Sequence, residues 1–193
     1  VGAFALLAVL VGYWVAYLQL FIHEASHYNI AATRRANDLL GDLLIGWMVG
    51  TTMRKYRDVH FQHHRALGTT ADSEHTYFFA LDPRFIVKGL TGWRAVEVLL
   101  SRGNLHDATR EAKGGPAANF RDRAVLFGGI VAHAAIVVAL YRLGGWGPAL
   151  GWIAGIGAIF PFLGALRQLL EHRSEQADPT TDYRLVAHGA CSR

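Results

Sequence analysis

Two short histidine clusters carry the residue types and spacings that can do chemistry: His23-Glu24-Ala25-Ser26-His27 and His60-Phe61-Gln62-His63-His64. In the first, i, i+4 spacing puts both imidazoles on one face of a helix. In the second, His60 shares a helical face with His63 and His64, so the three rings can converge. Neutral imidazole is the commonest metal ligand. Clustered imidazolium cations would repel one another, so a shared metal accounts for the grouping better than solvation does. A third element, Glu171-His172-Arg173, lies further along the chain. Of the ten histidines, His23, His27, His60, His63, His64 and His172 are therefore the candidate metal ligands. His133 falls inside an apolar stretch and reads as a helix–helix hydrogen bond. His75 and His106 read as solvent-facing, and His188 stands alone.

The elements that must position these residues are apolar blocks. Residues 1–22 contain no charged residue. As a helix they reach about 33 Å, enough to cross a bilayer core. A signal peptide would need a basic start and a small-residue cleavage site, and neither is there. Two further spans are expected over residues 124–142 and 149–167, joined by the turn cluster Gly144-Gly145-Trp146-Gly147-Pro148 and kinked at Pro161. The segment 39–53 is short for a span and is interrupted by Asp42. Arg34 and Arg35 precede it and Arg54, Lys55 and Arg57 follow it. Both ends thus favour the cytoplasmic side, as for a re-entrant or interfacial segment. A polar cytoplasmic loop is expected over residues 65–123, with Ile86 to Leu100 as an amphipathic helix on the membrane surface. Trp93, Trp146 and Trp152 read as interface anchors. The fold class is all-α: one multi-pass transmembrane bundle over residues 1–193, with the histidine clusters on its cytoplasmic face.

Composition agrees. The 193 residues are 52% hydrophobic and only 18% charged, against about 25% charged in ordinary globular domains. That balance excludes a disordered chain, a collagen and a nucleic-acid-binding arm. Cys191 is the only cysteine, which excludes a disulfide scaffold. The net charge of +4 needs no nucleic acid, since basic residues at span ends mark the cytoplasmic side. The basic residues of the polar loop could also steer an acidic headgroup, a coenzyme A phosphate or an acidic electron carrier.

His23-Glu24-Ala25-Ser26-His27 also matches the zinc-protease pattern of two ligands with a glutamate base. A membrane-embedded zinc protease is thus a rival of a different class. Such an enzyme takes a third ligand and then stops collecting histidines, which leaves most of the remaining clusters surplus. No downstream Asn-Pro or Leu-Asp-Gly segment of the membrane-protease kind is present.

HxxxH followed by HxxHH, each beside an apolar segment, resembles the membrane fatty acid desaturase and hydroxylase superfamily. The matching text is HEASHYNIAATRRANDLLGDLLIGWMVG and then YRDVHFQHHRALG, with Leu170 to Arg173 similar to the Glu-His element of several branches. The resemblance implies two non-haem iron ions, with the six histidines among the eight or so ligands that the family's two metals use, O2 as co-substrate, and desaturation of a fatty acyl or lipid chain. The same centre in other branches performs hydroxylation or ketolation of a lipid or carotenoid. A non-catalytic membrane protein of this fold is a further alternative. The partners implied are the lipid substrate, membrane lipids and an electron donor of ferredoxin, rubredoxin or cytochrome b5 type. Glu24, Asp58, Glu171 and Asp178 are candidates to orient the ligating imidazoles. The family's third HxxHH box does not occur before Arg193, so the chain is expected to be a fragment, inactive in isolation.

Overall fold

The computed structural model describes residues 2–66, 81–97, 100 and 119–172. Among these no strand occurs. Helix α1 runs over Gly2–Ser26. Helices α2 (Arg34–Gly41) and α3 (Trp47–Val49) are joined by a π-helical turn, Asp42–Gly46. Helix α4 is Met53–Ala66, α5 is Pro83–Leu90 and α6 is Phe120–Gly144. Helix α7 (Trp146–Ala154) passes through a second π turn, Gly155–Ile159, into α8 (Phe160–His172).

Three of the described helical runs are long and apolar enough to cross a membrane: Gly2–Ser26, Phe120–Gly144 and Trp146–Glu171. Residues 2–22 of the first block, and the blocks at 124–142 and 149–167, fall in these runs. Local chemistry sets their ends. At the start of α6 the Asn119 side chain accepts from the Asp122 N–H at 2.9 Å, and Asp122 accepts from the Asn119 N–H at 3.1 Å, a reciprocal capping box. Gly145, at φ 74°, then lets the chain reverse into α7. Pro161 has no N–H to offer the Gly157 carbonyl one turn earlier, and the helix widens into its π turn just before it.

The spans pack through small residues. A methyl group on Gly155 would meet Val11 Cβ at 2.7 Å, and one on Gly12 would meet Ile159 Cβ at 2.5 Å. Such close approach lets α1 lie along the α7–α8 run by van der Waals contact, as membrane helices do. Helix α6 buries only Asp122 and Gly129 and exposes Phe127, Ile130, Val138 and Leu143. That surface would be costly in water and costs nothing against lipid.

The segment 39–53 folds back on itself. Its descending arm is tied to the start of α6 by Arg121 Nε donating to Asp42 at 2.7 Å. Its returning arm is tied to the same place, where Thr52 Oγ1 donates to Asp122 at 2.7 Å and Arg54 pairs with Asp122. The tip, closed by left-handed Gly50 (φ 70°), reaches further along α6. There the Trp47 carbonyl packs on Gly129, and His133 Nε2 lies 3.0 Å from the Met48 carbonyl. The segment therefore enters and leaves at one end of α6.

The expected amphipathic helix Ile86 to Leu100 is not continuous. Helix α5, capped by Asp82 accepting from the Phe85 N–H at 2.7 Å, stops at Thr91-Gly92, and a further helical stretch starts at Trp93. The break has a steric reason: Gly92 (φ 75°) abuts the Gly157 carbonyl. Phe85 packs with Ala165 and Leu169, and Gly89 against Phe162, so α5 runs alongside α8. The parts of the expected loop at 67–80 and 101–118 lie outside the described residues.

Candidate metal centre

Helix α1 delivers His23 near its C-terminal end, His27 follows in the turn directly after it, and α4 delivers His60 and His64 from its second half. One ring nitrogen from each of the four lies within 4.8 Å of the others. His60 is buried at the centre, His23 is partly buried, and His27 and His64 face outward. His60 Nε2 is 3.1 Å from His27 Nε2 and 2.9 Å from His64 Nε2. A ring nitrogen carries either one proton or one in-plane lone pair. Three such nitrogens directed at one another cannot all be satisfied by hydrogen bonds among themselves. A cation satisfies all of them, so this donor set fits a metal ion.

The electrostatics point the same way. Burial holds the His60 imidazole at about 3, far below the ordinary 6.5, with neighbouring His23, His64, His27 and His63 adding to the effect. Burial and then His23 also lower His27, with Glu24 opposing. Both rings are accordingly neutral at pH 7, the protonation state a metal requires.

His63 is buried but stands beside the group, its ring centroid 5.8 Å from that of His64 and 6.3 Å from that of His60. His172 is the last residue of α8, and its side chain lies outside the described residues. Of the six histidines singled out, the structure therefore brings four together and sets a fifth next to them. His133 lies elsewhere. The Trp152 indole N–H donates to its Nδ1 at 3.2 Å, so its Nε2–H donates to the Met48 carbonyl. Trp152 thus serves a hydrogen bond within the bundle, unlike the expected interface anchor. Trp93 and Trp146 are exposed. His75, His106 and His188 lie outside the described residues.

The carboxylates divide. Glu24 Oε1 lies 3.2 Å from His23 Nδ1, and Asn29 Nδ2 donates to its other oxygen at 2.9 Å. That contact favours a proton on Nδ1 and leaves the other nitrogen of His23 as the donor. Glu171 instead accepts from Arg167 Nε at 2.6 Å. Asp58 is exposed, and Asp178 lies outside the described residues.

Several residues around the site have no motif to announce them. Asn37 is fully buried, donates to the Ala25 carbonyl at 2.7 Å and accepts from the Ile30 N–H at 3.2 Å. Asp42, which on sequence grounds merely interrupts an apolar run, accepts from the Met53 N–H at 2.6 Å and so starts α4. Arg57 forms a fork with Asp38, at 2.5 and 3.2 Å. Burial alone would raise the Asp38 carboxyl, but hydrogen bonds from Arg57 and Asn37 leave it below its ordinary value. Tyr56 stacks on His60 at 5.5 Å between centroids. A cleft of about 220 Å³ opens between α1 and α8, lined by Ala16, Tyr17, Leu20, Leu163 and Gly164, with Gln19 and Arg167 also at its wall.

An all-α bundle with three helical runs long and apolar enough to span a membrane, and with a histidine cluster that could hold a metal ion, defines a class of integral membrane protein. Residues 2–192 match the fatty acid desaturase family. The chain belongs to that family. No curated protein and no solved structure matches it.

Proposed function

We propose that this chain carries part of the site for O2-dependent desaturation of a fatty acyl or lipid chain at a histidine-ligated di-iron centre on the cytoplasmic face of the membrane. The observation that carries this is the convergence of His23, His27, His60 and His64 within 4.8 Å, in a chain of the desaturase family. Imidazole donors suit iron and leave positions open for a small ligand. His63, buried beside the group, and His172, at the end of α8, are the remaining ligands in this assignment. When loaded, such a centre supplies the activation of O2 that removal of hydrogen from an unactivated alkyl chain requires. The overall balance is one –CH2–CH2– unit, O2, two electrons and two protons giving –CH=CH– and two waters. A donor of ferredoxin, rubredoxin or cytochrome b5 type supplies the electrons.

The chain's own residues bind, orient and exclude water. His60 and His27 present neutral rings at neutral pH, and Glu24 orients His23. The α1–α8 cleft offers an apolar seat for an acyl chain, and Gln19 at its wall precedes His23 by one helical turn on the same face. The basic residues flanking 39–53 support a cytoplasmic site. The family match and the fourth converging imidazole both weigh against the zinc-protease alternative, which uses three protein ligands and an open position.

Metal analysis of the protein expressed from its complete gene, joined to a lipid-oxidation assay with a reconstituted electron donor, tests the proposal. Two irons per chain with O2-dependent formation of a double bond is the expected result. One zinc per chain with peptide cleavage would overturn it. Replacing His63 with alanine should abolish lipid oxidation.

A further inference from the structure

The two ends of the metal site come from different helices, and one side chain grips both. Arg57 lies on α4, one turn before His60 and two before His64. Its Nε donates to the Ser26 carbonyl at 2.9 Å, and Nη2 donates to the Ala25 carbonyl at 3.2 Å. Those carbonyls sit between His23 and His27 at the C-terminal end of α1, where the helix supplies no i+4 N–H. The Ala25 carbonyl also accepts from the Tyr28 N–H at 3.1 Å and from Asn37 Nδ2 at 2.7 Å. Asp38 holds the far side of the guanidinium with both oxygens. The guanidinium carbon Cζ lies over the Tyr28 ring, 4.0 Å from its centre.

Tyr28 adds a second, independent mark. It follows His27 directly and has φ 64°, the only positive φ at a non-glycine residue among those described. A bulky side chain keeps a left-handed backbone only where its surroundings over-determine it. Here Arg57 covers the ring, with Arg34 at 4.9 Å as well. The backbone thus turns sharply away just after the second ligand, and the guanidinium holds it there.

We infer that Arg57 is a positioning residue, setting the separation of the His23/His27 pair from the His60/His64 pair by clamping the α1 terminus and the Tyr28 ring to α4. It acts through the backbone of the first cluster and through Asp38. A lysine cannot replace it, because one ammonium lacks the planar fork that serves two carbonyls, a carboxylate and a ring face together. The inference rests on the metal-site assignment above.

Cobalt(II) titration of the full chain in detergent tests it, with the visible absorption of the bound ion reporting coordination geometry. The unmodified protein should bind cobalt(II). Arg57→Lys should bind at least tenfold more weakly and with altered visible bands, while helicity without metal stays unchanged. Asp38→Asn, which keeps the arginine and its carbonyl contacts, should shift affinity and bands in the same direction by less, and it carries the test if the Arg57 variant does not fold. Unchanged affinity and bands in a folded variant would overturn the clamp and leave the metal site standing. Failure of the unmodified protein to bind cobalt(II) would overturn both.

Discussion

His27 Nε2 and His60 Nε2 lie 3.1 Å apart although 33 residues separate them in the chain. One comes from the end of an apolar span and the other from the middle of a polar helix. Replacing His60 with alanine should weaken metal binding by more than the roughly 10–100-fold typical of losing an outer-shell partner. The metal-free protein should keep its melting temperature or gain slightly, because the crowding of imidazole nitrogens is relieved. Competition titration and thermal melts of the same sample check both halves. A large loss of melting temperature with metal affinity intact would identify His60 as a packing residue.

The low proton affinity of His60 gives the metal-free protein a specific pH response. Its ring titrates at about 3 when folded and near the ordinary 6.5 when unfolded. Between those values the unfolded chain binds more protons than the folded one, so stability falls as the pH falls. The loss begins as the pH drops through 6.5 and is complete below about 3. A metal-free sample should melt at a lower temperature at pH 5 than at pH 7.5, and His60→Gln should flatten that difference. Equal melting temperatures for the unmodified protein would contradict the assignment.

Asn37 ties the loop after the first cluster to the end of α1 through a buried side chain. Asn37→Leu keeps similar bulk but strands the Ile30 N–H and removes a donor from the Ala25 carbonyl. A buried polar group left without its partner costs about 1–3 kcal/mol. Chemical or thermal unfolding in detergent should show a loss of that size, with weaker cobalt(II) binding in the folded fraction.

Two adjacent glycines on α6 make a paired test of helix contact. A methyl group on Gly129 would collide with the backbone carbonyl of Trp47, whereas one on Gly128 meets nothing. Overpacking of this kind costs about 1–3 kcal/mol, and backbone cannot swing aside as a flexible side chain does. Gly129→Ala should therefore destabilise, while Gly128→Ala should be neutral or slightly stabilising through better helix propensity. Equal melting temperatures for the two variants would mean that the 39–53 segment does not lie against α6.

How much of this was legible beforehand depends on the range of each interaction. The histidine spacings and the apolar runs are local patterns, and they marked His23, His27, His60, His63 and His64 and the blocks that became α1, α6 and the α7–α8 run. The partners of Asp42 and Arg57 are remote. Asp42 reads as a flaw in an apolar stretch until Arg121, 79 residues away, is seen beside it. Arg57 reads as a topology marker until the Ala25 and Ser26 carbonyls at the end of α1 are found under it. The break at Gly92 was hidden for a similar reason, since the Gly157 carbonyl that abuts it belongs to a distant helix. Trp152 reads as an interface anchor because nothing local shows that His133 faces it.

The four converging imidazoles all lie between residues 23 and 64, well before the second and third spans. Bringing the two clusters together closes a short stretch of chain, which carries a small entropic cost. Domains form from the N-terminal side during synthesis, so the ligand set can gather while the later helices are still being made. The order of events then favours a pocket that exists first and a bundle that encloses it afterwards.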